Sequence, residues 1–365
     1  MALQCGITGI TNVGKTTIFN CISGTRGEVS AYAFSATKSN IGIVQVPDPR
    51  LYELAKYQAT GKIVHTTMEI VDIPGLARGS SHGEGVGNRF LGDIRNTDAI
   101  IHVLRCFDSD VLQHIDGSVD PVRDIETLDF ELQAKDLESV EKKILKLEKA
   151  ARTGDKDAKL GCEVLYRYRD HIGNMNSART LEVRNEERKY TEDLFLLTMK
   201  PVIYVCNVDG GSATTGNRYV EDVREHLKGT GSEILVIAGE LEAEIADLED
   251  PEDRMAFLQD AGLDEPGVDK LVRAAYRMLN LQTFFTIGPK EIRAWTIRKG
   301  MNAAQAAGVI HSDLERGFIR AEVIKYSDFI ELRSEHACRE AGRMLIEGRN
   351  YIVNDGDLLH IRFNV

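Results

Sequence analysis

Gly9 to Thr16 reads G-I-T-N-V-G-K-T, which sets two backbone-permissive residues, one ammonium and one hydroxyl at the spacing that holds a chain of phosphates. Gly9 and Gly14 permit backbone angles that a Cβ would forbid. The amides of Asn12, Val13, Gly14, Lys15, Thr16 and Thr17 then turn inward around the phosphates, with a helix N-terminus behind them. Lys15 puts its charge between the β- and γ-phosphates, where it binds and also stabilises the transferring group, and Thr16 offers a hydroxyl to Mg²⁺. A second pattern falls where the first requires it. Thr67 to Asp72 is a strand ending in a carboxylate, and Ile73-Pro74-Gly75 completes D-x-P-G. Asp72 can reach the metal through a water, while the Gly75 amide can bond a γ-phosphate oxygen only when one is present.

Such a loop works only between a strand and a helix. Leu3, Cys5 and Ile7 form an apolar strand before it, and Thr17, Ile18, Phe19, Cys21 and Ile22 an amphipathic helix after it, closed by Gly24. Strand signals recur at 41–46, 67–72, 99–104, 201–206 and 234–238, separated by helical stretches such as 50–58 and 89–95. Apolar strands alternating with amphipathic helices predict an α/β, doubly wound parallel sheet of the P-loop NTPase kind, whose ligands sit at the strands' carboxyl ends.

Two segments break the alternation. Phe130, Leu137, Val140, Ile144, Leu147 and Ala151 recur at three-four spacing. Ala158, Cys162, Leu165 and Ile172 continue this beyond a Thr-Gly-Asp turn, and Tyr190, Leu194 and Leu197 follow. The expectation is an inserted α-helical coiled-coil arm over 125–199, its stripe packed inward. From 281 to 365 short strands at 283–287, 294–297, 317–324, 351–354 and 358–363, with Asn354 to Asp357 as a hairpin turn, suggest a β-grasp domain. The nucleotide-binding domain would then be residues 1–124 and 200–280.

At 365 residues and 40.6 kDa the chain has room for these domains. No run reaches the length of a membrane span and no basic, apolar leader opens the sequence. Six cysteines without a C-x-x-C pair read as buried reduced thiols, and the expected compartment is the cytoplasm. The net charge of −12 argues against independent DNA binding. From Leu281 onward, however, 12 Lys+Arg face 11 Asp+Glu, so residues 1–280 carry −13 and the tail +1. That tail either touches RNA or a ribonucleoprotein locally or carries evenly solvated charge.

Phosphate loop, D-x-P-G, helical arm and β-grasp tail, in this order, resemble the YchF or Obg-like ATPase family over essentially the whole chain. Specific stretches carry the resemblance: Q-C-G-I-T-G at 4–9, V-P-D-P-R-L at 46–51, V-D-I-P-G-L at 71–76, G-E-G-V-G-N-R-F-L at 83–91, M-L-N-L-Q-T-F-F-T at 278–286 and G-F-I-R-A-E at 317–322. It implies a switch ATPase with a C-terminal TGS domain, linked to the ribosome, translation and stress responses. It also accounts for Leu76, which stands where many small GTPases place a water-orienting glutamine. In this family a histidine in the loop after the Cys106 strand takes that work, which implies His114; by its sequence alone His114 is a solvated loop residue. The glycine-rich stretch Gly83–Gly87 would be the mobile second switch.

Two departures bear on the transfer. Where the family has a magnesium-binding threonine in its first switch this chain has Ala36, so Thr37 or Ser35 would substitute. Where the family reads N-V-x-E, this chain reads Asn207-Val208-Asp209-Gly210, without the lysine and with the acid displaced relative to the guanine-reading N-K-x-D. ATP is therefore the expected nucleotide, Mg²⁺ the cofactor, and K⁺ a second cation that an Asn at position 12 accompanies in some related switches, although an Asn in a tight turn needs no ion. An Obg-type GTPase, or a ribosome-binding module indifferent to nucleotide, are the alternatives.

Overall fold

The protein is described by a computed structural model that covers residues 3–24, 40–57, 62–75 and 86–364. Ser35, Ala36, Thr37, Leu76 and the glycines at 83 and 85 lie outside the described residues. The chain forms two compact units, Met1–Gly42 with Glu69–Leu271, and Ile43–Met68 with Val272–Val365.

In the first unit a six-stranded sheet has the order β2 (Asn40–Gln45), β4 (Thr67–Asp72), β1 (Gln4–Thr8), β5 (Ala99–Arg105), β6 (Val202–Asn207), β7 (Glu233–Ile237). β1 runs parallel to both β4 and β5, and β6 parallel to β5 and β7. Every residue of β5 is buried, which only a sheet covered on both faces allows; its β-branched run suits that place. Phe90, Leu91 and Ile94 of α3 (Val86–Asn96), with Leu128 and Leu132 of α4 (Pro121–Arg152), pack on Val71, Ile73 and Ile100. Val220 and Val223 of α6 (Arg218–His226) pack on Leu104, Tyr204 and Cys206. α1 (Lys15–Ser23), stopped by Gly24 at φ 61°, lies beside α7 (Gly239–Asp247).

The arm is a helical hairpin of α4 and α5 (Lys156–Gly173), beginning four residues before the expected start. Asp120 caps α4 by accepting from the Arg123 amide, and Pro121 fills its first position. Asp155 caps α5 through the amides of Asp157 and Ala158. Val140, Ile144, Val164, Leu165, Tyr168 and Ile172 close the seam with Tyr190 and Leu196. The third stretch is not the expected helix. It is a string of 3₁₀ turns (Ala178–Thr180, Asn185–Tyr190, Glu192–Leu194, Leu197–Met199) interrupted by Phe195 at φ 46°. The buried carboxylate of Asp136, on α4, explains its last turn: it accepts the amides of Leu197 (2.7 Å) and Thr198 (2.8 Å) and the Thr198 hydroxyl (2.7 Å). Amides held by a side chain cannot pair along a helix.

The second unit contains a sheet of order β11 (Leu345–Glu347), β10 (Phe318–Ile324), β12 (Leu358–Phe363), β8 (Leu281–Ile287), β9 (Ile292–Arg298), β3 (Ile63–Val64). β8 and β9 form an antiparallel hairpin, β12 returns parallel to β8, and the helix Ala303–Ile310 packs its alanines on Phe284, Ile297, Ala321 and Val323, the β-grasp arrangement. Residues 43–68, which the sequence reading keeps within 1–124, bring two elements to this unit. β3 pairs with β9, and α2 (Pro49–Ala55) buries Leu51 and Leu54 against Phe285, Ile292 and Phe329. The turn expected at 354–357 forms, with the Asp357 amide donating to the Asn354 carbonyl at 3.2 Å, but the strand over 351–354 does not, so there is no hairpin. Ile352 makes a single bridge with Asn302, because buried Asp357 takes Lys325 Nζ and Tyr351 Oη, both at 2.7 Å, and the Asn354 amide at 2.9 Å.

Asp136→Ala leaves two buried amides and a hydroxyl without their acceptor, so denaturant unfolding should show a loss of about 2–4 kcal/mol. A loss below about 0.5 kcal/mol, the scale of an ordinary surface substitution, would contradict this account of the arm's root.

Candidate functional site

The phosphate loop leaves β1 and enters α1 at the carboxyl end of the parallel sheet. Both of its glycines are required by space, and Gly14 by angle as well. Gly14 has φ 85°, and a Cβ there would lie 2.1 Å from Asn207 Nδ2; one at Gly9 would lie 2.5 Å from the Val103 carbonyl oxygen. Asn12 also sits in the left-handed region, at φ 65°, which Asn tolerates better than most residues.

Strand register brings the second motif to the first. Ile7 stands opposite Asp72, and the Ile73 amide donates to the Ile7 carbonyl at 3.0 Å, so β1 and β4 end flush. Lys15 Nζ lies 3.0 Å from Asp72 Oδ1 and also donates to the Ile73 carbonyl. Both side chains are buried. Burial pulls the Lys15 pKa down, and the Asp72 charge opposes that shift. Gly75 lies against the loop: a Cβ there would sit 3.4 Å from the Thr11 amide nitrogen. Thr16 and Thr17 occupy the first turn of α1, half-buried. Thr16 thus follows the lysine that touches Asp72, and this hydroxyl and carboxylate are hard oxygen donors of the type Mg²⁺ takes. Thr37, the third expected metal ligand, is outside the described residues.

Asn207 ends β6, and Val208 and Asp209 follow it. The Asn207 amide donates to the Val13 carbonyl at 2.8 Å, and its oxygen accepts the Gly239 amide at 2.9 Å, so this side chain ties the phosphate loop to the start of α7. Val208 packs in the core with Cys106 and Val220. Asp209 is exposed and accepts from the Ser212 amide and hydroxyl, at 3.1 and 2.9 Å.

His114 is buried rather than solvated. Nε2 lies 3.2 Å from Asp124 Oδ2, while Nδ1 accepts the Asp116 amide at 3.1 Å and stands 3.4 Å from an Arg123 guanidinium nitrogen. Asp124 is fully buried, and desolvation raises its pKa against the pull of His114 and Arg123. Donor atoms of His114, Asp116 and Asp124 lie within 4.8 Å of one another, a spacing that would admit a metal ion. Arg123 already supplies the cation there, 3.6 Å from Asp124 and 3.7 Å from Asp116. The loop bearing His114 also meets the phosphate loop: Asn12 Nδ2 donates to the Gln113 carbonyl at 3.1 Å. Sequence reasoning missed Asp124, whose only signal was an acidic residue in a helix's first turn, an ordinary macrodipole partner. It also missed Arg105, a buried guanidinium stacked 4.7 Å over Phe107 and donating to that residue's carbonyl.

Comparison with known proteins agrees with this geometry. Residues 4–149 match the family described as 50S ribosome-binding GTPase, and residues 281–364 match the YchF-GTPase C-terminal family, described as a protein of unknown function. The chain is 46% identical over its full length to the ribosome-binding ATPase YchF of Haemophilus ducreyi and 45% identical to those of Bacillus subtilis and Escherichia coli O157:H7, covering 100% of each chain. The chain belongs to the YchF family. The solved Schizosaccharomyces pombe YchF GTPase superposes on it with a TM-score of 0.87 at 33% identity, covering 99% of this chain and 98% of that one. The fold is thus the P-loop NTPase sheet with an inserted helical arm and the C-terminal domain of YchF proteins. Among the described residues, no helix is long and apolar enough to cross a membrane.

In this YchF-family chain Asn207 braces the phosphate loop. Asn207→Ala should therefore weaken ATP and GTP binding together, by about tenfold or more, while leaving the ratio of the two dissociation constants unchanged. Loss confined to one nucleotide in competition binding would contradict that role.

Proposed function

We propose that the chain is an ATPase switch that binds the ribosome and changes conformation with its nucleotide. The observation that carries this reading is the convergence of Lys15, Asp72 and Gly75 on one phosphate loop at the flush ends of β1 and β4. Lys15 and the amides from Gly9 to Thr17 hold the triphosphate, and the Gly75 amide senses its terminal phosphate. Thr16 and Asp72, with Thr37 from the first switch, would hold Mg²⁺, which supplies charge neutralisation at the β- and γ-oxygens. Asn12 adds a carboxamide oxygen of the kind that takes K⁺. ATP is preferred because no lysine follows Asn207 and the nearest acid, Asp209, caps its own turn. The segment 207–209 bounds the base site.

His114 assists the attacking water, since Leu76 has nothing to offer it. Within residues 1–124 and 200–280 the parts of the first unit, 1–42, 69–124 and 200–271, handle the nucleotide, while the arm at 125–199 and the TGS domain at 281–365 meet the ribosome. Relatives matched along their whole length are named ribosome-binding ATPases, which supports the ribosome as partner and, through it, the cytoplasm as compartment.

In steady-state assays with Mg²⁺, wild-type protein should hydrolyse ATP faster than GTP. His114→Ala should lower kcat about a hundredfold while ATP affinity changes less than about twofold. Equal turnover by the variant would remove His114 from the reaction, and faster GTP hydrolysis by the wild type would reverse the nucleotide preference.

A further inference from the structure

We propose that Asp124 is a positioning residue that holds His114 in an idle orientation, and that loosening its hold lets the imidazole leave both its partners, Asp124 and the Asp116 amide, for the phosphate loop. This rests on the reading of His114 as the group that assists water. Nδ1 accepts the Asp116 amide, so its lone pair is committed and the neutral ring carries its proton on Nε2, donated to Asp124. Both ring nitrogens are therefore occupied by protein, and the side chain is 2% exposed. A ring in that position can neither orient a water nor donate to a phosphoryl oxygen. The preceding residue, Gln113, accepts from Asn12, so the backbone that carries the ring already touches the phosphate loop. Release would leave the buried Asp124 carboxylate uncompensated if it had no other cation. Arg123, 3.6 Å from Oδ1, is that cation, so the carboxylate stays balanced while the ring leaves. The ring gives up both the Asp124 and the Asp116 bonds when it leaves, so the idle orientation dominates by about tenfold or more.

Histidine-¹⁵N NMR of the full chain, combined with ATP turnover, tests this. The His114 signals, identified by their loss in His114→Ala, should report the Nε2–H tautomer in wild-type protein and a mixed tautomer in Asp124→Ala. The same substitution should raise kcat about threefold to tenfold with KM unchanged. Asp124→Asn, whose carboxamide oxygen still accepts from Nε2–H, should fall between the two in both readouts, and it serves if the alanine variant does not fold. His114→Ala in the Asp124→Ala background should abolish the gain. Wild-type rates and an unchanged ring signal in both Asp124 variants, or a kcat that falls, would overturn the proposal. Failure of the underlying reading is separately visible: the ring signal would still respond to Asp124→Ala while His114→Ala left turnover intact.

Discussion

A buried ammonium must have an opposite charge within reach, and the site is organised around that demand. Removing Lys15 from water costs several kcal/mol. At 3.0 Å from Asp72 and an effective dielectric near 20, the attraction returns about 5 kcal/mol. The two terms are of similar size, so the pair adds little to stability. Its consequence is geometric. The end of a strand adjacent to β1 puts a carboxylate there: Asp72 is the last residue of β4, in the register that sets Ile7 opposite it. A triphosphate and its metal would enter a site where both charges are already aligned.

The remaining parts extend that alignment. Asn207, at the end of β6, ties Val13 of the phosphate loop to Gly239 at the head of α7, joining the ends of three elements with a single amide. The space this amide occupies is also why position 14 must be glycine. Asn12 connects the same loop to Gln113, and hence to the segment that carries His114. The phosphate loop is thereby in direct contact with Asn207 and with the segment that carries His114.

Much of the sheet and of the phosphate site was legible in the sequence because both depend on local patterns: β-branched runs, the glycine spacing of 9–14, the D-x-P-G turn. What was illegible depends on long-range polar contacts. Nothing near 195–199 announces that Asp136, about sixty residues earlier, will capture its amides and convert a helical stripe into 3₁₀ turns. Nothing at 63–64 announces a sixth strand beside β9. The Asn-Asp-Gly-Asp turn at 354–357 looked like a hairpin because its composition is right, yet Asp357 spends its carboxylate on Lys325 and Tyr351. The same limit applies at the site. Asn207 was named from its motif, but its role as a brace appears only when β6 and the phosphate loop are seen together, and His114 reads as solvated until Asp124 is placed beside it.

The central claim is that the turn after β1 encloses a triphosphate with Lys15 as its cation. Isothermal titration of the full-length protein with ATP and Mg²⁺, set beside Lys15→Ala, tests it most directly. The account predicts saturable uptake of one nucleotide per chain by the wild type, and affinity weakened at least a hundredfold in the variant, given the strength of charge-assisted contacts to phosphate. No heat of binding in the wild type, or equal affinity in the two proteins, would contradict it.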